Sequence, residues 1–130
     1  MFFGTIPVTG FAADAAISVE HDEDDWSLVT GVDGEGTRSK TSNASATVTV
    51  SLMQSSSTND LLSAHREQDR LTPGGIGGVP LIIRDRSGRS IFTAETAWIQ
   101  KAPTAELNRE ATAREWTFRT DYLVALHGGN

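Results

Sequence analysis

Chemistry needs acids, bases, nucleophiles or metal ligands brought together, and this sequence offers few. Its three histidines, His21, His65 and His127, lie far apart along the chain, and none sits in a recognisable triad. The densest cluster of ionisable groups is His21-Asp22-Glu23-Asp24-Asp25. Several carboxylates in one turn suit a hard divalent cation, and a small metal-assisted hydrolase would use them to activate water. The run does not fit a calcium-binding loop, however. Counting from Asp22, Ser27 stands where the sharp turn needs glycine and Asp33 where a bidentate glutamate closes the shell. Ser55-Ser56-Ser57 precede a helical pattern and read as caps rather than nucleophiles. Gly31 to Lys40 (GVDGEGTRSK) lacks the Gly-Lys-Ser/Thr ending of a phosphate loop, and Gly74 to Gly78 (GGIGG) lacks the spacing of a dinucleotide fingerprint. The complete absence of cysteine excludes disulfides, thiolate zinc sites and thiol nucleophiles. No catalytic residue, metal site or cofactor is therefore assigned.

Charge is distributed unevenly. The net charge of -6 conceals a first segment, residues 1 to 36, with eight acids and no Lys or Arg; after it come eleven bases and nine acids. Such a dipolar layout lets the acidic surface of one copy meet the basic surface of another. The candidates for these contacts are Glu20, Asp22, Glu23, Asp24 and Asp25 on one side and Arg38, Lys40, Arg84, Arg86 and Arg89 on the other. A pI near 4.9 argues against gripping nucleic acid. At 130 residues and 38% hydrophobic content the chain suits one domain, residues 1–130, with a real core. No apolar run reaches the length of a membrane span. Met1 to Phe11 lacks the features of a signal peptide, so the expectation is a soluble, cytoplasmically made protein with no membrane partner.

The elements that would carry these residues follow a period of two. In Ser45 to Met53, Val48, Val50 and Leu52 share one face and Thr47, Thr49 and Ser51 the other, the alternation of a half-buried strand. Val79–Arg86 and Arg89–Lys101 read as a hairpin around Ser87-Gly88, though neither face of the second arm is purely polar. A last strand over Arg114–Leu126 sets Trp116, Phe118, Thr120, Tyr122, Val124 and Leu126 against a largely polar side. Shorter strands are expected at Ala15–Glu20 and Trp26–Gly31, with Val32–Gly36 as a loop. One helix is expected from about Thr58 to Asp69, capped by a hydroxyl or Asn59 and covering the sheet through Leu61 and Leu62. Trp26, Trp98 and Trp116 fall in strand patterns and read as core or interface residues. Pro73–Gly78, the Met1–Gly10 arm and the tail from His127 read as flexible. The fold class is mainly antiparallel β, sandwich-like or barrel-like, with one short α-helix.

Against this background the segment Gly31 to Asp69 (GVDGEGTRSKTSNASATVTVSLMQSSSTNDLLSAHREQD) resembles the central region of tail tube proteins from contractile-tailed bacteriophages. Gly10-Phe11-Ala12, the acids before Trp26, Ala97 to Pro103 (AWIQKAP) and Arg114 to Phe118 (REWTF) follow in that family's order, so the resemblance covers most of the chain. It implies a virion subunit, assembled in the host cytoplasm, that forms hexameric rings stacked into a hollow tube inside a contractile sheath. It further implies strands joined edge to edge around a lumen through which genomic DNA passes without specific binding, a helix on the outside, and loops reaching neighbouring rings. The implied partners are further copies of the chain and the sheath, baseplate and tail-terminator proteins. A related implication is the tube of a phage-related injection machine, similar to that of type VI secretion. The short polar face of Thr47, Thr49 and Ser51 is the candidate lumen surface, since a conduit should not present cations that retain phosphate. The competing readings are a soluble β-sandwich binding module and the small metal-assisted hydrolase.

Overall fold

The computed structural model describes residues 1–12, 17–75, 77–85, 89–105 and 112–128. The alternating stretch of the sequence forms β6 (Ala46–Leu52), an inner strand of a large antiparallel sheet, with Ala46, Val48, Val50 and Leu52 fully buried. Its neighbours are β3 (Ile17–His21) on one side and β9 (Arg114–Thr120) on the other. The remaining strands of this sheet are β1 (Phe2–Phe3), β2 (Ile6–Pro7), β7 (Val79–Arg84), β8 (Ile91–Lys101) and β10 (Val124–Leu126). The order is β2-β1-β7-β8-β9-β6-β3, and β10 pairs with β8. A separate ribbon is made by β4 (Trp26–Thr30) and β5 (Gly36–Lys40). The fold class is thus mainly antiparallel β with one short helix, α1 (Thr58–Leu71).

Several local expectations need correction. The Met1–Gly10 arm is not loose: Phe3 is buried, packs on Phe118 with ring centroids 4.9 Å apart, and meets the edge of the His65 ring at 5.0 Å. Backbone pairing to β7 and burial of Val8 complete the anchorage. Segment Gly36–Lys40, to which the sequence assigns no strand, pairs residue for residue with Trp26–Thr30. Of the tryptophans read as core or interface residues, Trp116 is core, buried and donating its Nε1–H to Asn59 Oδ1 at 2.9 Å, whereas Trp26 is exposed and only the interface reading remains open to it. The helix runs two residues past Asp69 and buries Thr58 and Leu62, leaving Leu61 outside. Its N-cap, Ser57, makes no side-chain cap; the Thr58 N–H is instead received by Ser56 Oγ, which donates in turn to the Thr9 carbonyl. At the other end of the chain, His127 packs edge-on against Phe92 and the Gly128 N–H donates to Ser90 Oγ, so the tail is tied to the sheet at least that far.

The mixed faces of β8 have one cause. Against β7 the register shifts between Val79 and Leu81, which pair with Ala97 and Ala94, so β8 carries an extra residue there. Burial accordingly switches parity, with both Ala94 and Ala97 facing the core. The adjoining edge is affected in turn: Thr120 pairs with Ala97, Val124 pairs with Thr93, and Leu123 rather than Tyr122 turns inward. The Thr120 hydroxyl secures this break by donating to the Thr96 carbonyl at 2.8 Å. Tyr122, Val124 and Leu126 therefore face outward, contrary to uninterrupted alternation from Trp116.

Candidate assembly surfaces

Pairing across β3, β6, β9 and β8 extends the Thr47, Thr49 and Ser51 face into one surface opposite the core, polar except for Trp98. One row runs Glu20, Thr47, Arg119, Trp98; the next runs Ser18, Thr49, Thr117, Lys101; Ser51 stands opposite Glu115. Sequence reading isolated only the β6 portion. The polar side of β9 carried the same alternation, but the partners could be assigned to one surface only once the strand order was known.

Asp22 sits at the end of this surface and organises it. Its carboxylate accepts Ser45 Oγ–H at 2.6 Å and Thr47 Oγ1–H at 3.0 Å, and pairs with the Arg119 guanidinium at 2.9 Å. The Ser45 hydrogen bond is the chief cause that holds the Asp22 carboxyl below its ordinary pKa of 3.8; the Thr47 bond, Arg119 and His21 act in the same sense, while partial burial opposes them. Arg119, a residue the sequence did not single out, is thereby matched by an acid rather than left open. Counting Asp22, the surface carries Glu20, Asp22 and Glu115 against Arg119 and Lys101.

The other charged candidates are dispersed. Glu23 accepts a hydrogen bond from Thr41 at 3.1 Å, and Asp24 and Asp25 are exposed in the turn before β4. Among the described residues no three His, Asp or Glu side chains converge on a metal-sized site, so the structure gives the hydrolase reading no support. Arg38 lies over the Trp26 ring, 4.0 Å from its centroid, a cation–π contact within the β4–β5 ribbon. Lys40 and Arg84 form no ion pair among the described residues, Arg89 is exposed just before β8, and Arg86 lies outside the described residues.

Two edges of the main sheet, β2 and β3, have no further strand beside them among the described residues. Every residue of the β4–β5 ribbon is exposed. Open edges and a bare ribbon are surfaces to which further strands can be added.

Comparison with known proteins identifies the family. Residues 6–127 match the family model described as Bacteriophage PhiTE tail tube protein, and the chain belongs to this tail tube family. It is 34% identical over 123 residues to "Structural protein ORF10" of Pseudomonas phage KPP10, a match covering 95% of this chain and 71% of that one. Its fold is similar to that of the tube-terminating cap of the anti-feeding prophage, solved by cryo-electron microscopy, with a TM-score of 0.53, 9% identity and 95% of each chain covered. The family is one of structural tube proteins and not of enzymes. The chain is accordingly a structural component of a phage tail, located in the virion, where it assembles with itself and with other tail proteins.

Proposed function

We propose that residues 1–130 act as one tube domain, six copies of which close into a ring, and that rings stack into a conduit for genomic DNA inside a contractile sheath. The observation that carries this reading is the open edge of β3, which borders the polar Glu20, Thr47, Thr49 and Ser51 surface. Pairing that edge with a neighbouring copy satisfies its free backbone groups and continues the polar surface around a ring. Thr47, Thr49 and Ser51 then face the lumen. Short neutral hydroxyls, and carboxylates that outnumber the Arg119 and Lys101 charges, disfavour retention of phosphate, so DNA slides. Sheath, baseplate and tail-terminator proteins complete the set of partners, and assembly takes place in the host cytoplasm.

A second reading, the tube of a phage-related injection machine, is favoured by the likeness of fold to the anti-feeding prophage cap. The two differ in cargo. Thr49→Lys would place six added cations per ring in the lumen. In phage carrying this variant, tails should assemble but DNA ejection should slow at low salt and recover as salt rises. Normal ejection kinetics from assembled variant tails would refute the lumen position of Thr49.

A further inference from the structure

The main sheet folds over its own core. Val48, Val50 and Phe118 are buried on β6 and β9, and Phe3, Leu81 and Ala94 on β1, β7 and β8; the Phe3 and Phe118 rings meet with centroids 4.9 Å apart. Two outward faces therefore lie on opposite sides of one core. The first is the Thr47, Thr49 and Ser51 surface. With that surface turned to the lumen, the second face points away from the tube axis, and the docking assigned to it rests on that tube reading.

The second face is apolar for a wall open to water. Register places Phe2, Ile82, Thr93 and Val124 in a single row across β1, β7, β8 and β10. Phe2 is 52%, Ile82 45% and Val124 55% exposed, although each lies within a regular strand. Beside the row, Pro80 and Tyr122 help to line a shallow groove of about 540 Å³, which Glu95 and Asp121 also line. The Thr120 hydroxyl, by donating to the Thr96 carbonyl, ties together the residues next to these two carboxylates. Neither carboxylate forms an ion pair among the described residues. Exposed apolar side chains aligned over four strands mark an interaction face.

We propose that this face is the seat of the surrounding sheath, and that the segment docked on it presents apolar side chains next to a lysine or arginine. Direction excludes further copies of this chain. Copies in the same ring join at the β3 edge and copies in the next ring lie along the axis, so neither stands before an outward wall. Charge fixes the chemistry of the occupant. A neutral or acidic segment would cover Glu95 and Asp121 without compensating them, whereas a single Lys or Arg placed at the groove answers both. Arg84, exposed on β7, marks the other end of the face. It pairs with Ile91, four residues from Glu95, which is roughly 13 Å along the strand. The docked segment therefore has one favoured direction, its basic end over Glu95 and Asp121. Phe2, Ile82 and Val124 supply the apolar contact and the carboxylates supply the register. Each seat is small, but every copy in the tube repeats it, so the contacts accumulate.

The test uses tubes of the full chain and the sheath protein of the same phage. Wild-type tubes should carry the sheath protein down on sedimentation, with less retained as salt rises. Glu95→Lys with Asp121→Lys, and separately Ile82→Ser with Val124→Ser, should leave tube yield and length unchanged and lower sheath retention at least tenfold. Wild-type retention by either double variant would overturn the seating, as would wild-type tubes that hold no sheath protein. Loss of tubes from both double variants would also overturn it, since the face would then lie between copies. All three results leave the tube reading intact. A wild-type chain that forms no tube at all would overturn both.

Discussion

Replacing Asp22 with Asn keeps the size and shape of the side chain and removes its charge. The Asp22 carboxylate receives two hydroxyls and a guanidinium. In Asp22→Asn one oxygen becomes an NH2 group, which cannot accept from Ser45 or Arg119. The ion pair is partly exposed, at 39% for Arg119 and 21% for Asp22, so solvent screening limits its share to roughly 0.2–1 kcal/mol. Hydrogen bonds to a charged acceptor add to this, and after allowance for their exposure the total loss is about 1–2 kcal/mol. For a domain of this size that lowers Tm by roughly 3–8 °C.

The pH dependence of this effect has a fixed sign. Because the folded-state pKa of Asp22 is depressed, its contribution is fully present above the unfolded value near 3.8 and is lost as pH falls through the lower folded value. Thermal melts of wild type and Asp22→Asn should therefore differ at pH 7 and converge below pH 4. The difference should also narrow in molar salt. Equal melting at pH 7, or a gap unchanged down to pH 2, would refute the role given to this carboxylate. In assembled tails the same substitution exposes the Arg119 charge, and slower DNA release is expected.

Core and turn positions give further tests. Phe3→Ala removes a fully buried ring held between Phe118 and His65 and should cost about 3–5 kcal/mol in denaturant unfolding; a cost below 1 kcal/mol would mean that the N-terminal strand is not docked. Gly10 has a φ of +77°, and an added Cβ would stand 2.7 Å from Ser56 Cβ. Gly10→Ala should therefore destabilise by about 1–3 kcal/mol, with the loss reduced when Ser56 is also made Gly, as a double-mutant cycle would measure.

The sequence was most legible where one physical demand dominated. Strand β6 needed a buried face and a wet one, so its alternation predicted both the strand and the polar surface to which Thr47, Thr49 and Ser51 belong. The β4–β5 ribbon was half hidden because Gly36–Lys40, GTRSK, contains no apolar residue to betray a strand; its pairing is set by Trp26–Thr30 opposite. Outward display of Tyr122, Val124 and Leu126 was misjudged because alternation holds only while register is constant, and the extra residue in β8 changes the parity of its neighbour as well. The N-terminal arm was too short to show a period, yet burial of Phe3 and Val8 and pairing to β7 pin it. Charge runs marked Asp22 as one of several acids for contacts between copies. They did not reveal that Asp22 would meet Arg119 of its own chain, 97 residues away, because such a contact is created by strand order.

The most direct measurement is electron microscopy of the purified chain over a range of rising concentration. Closure of the β3 edge around a ring predicts annular particles with sixfold symmetry and, at higher concentration, tubes whose central channel admits duplex DNA. Isolated globular particles at every concentration would contradict it.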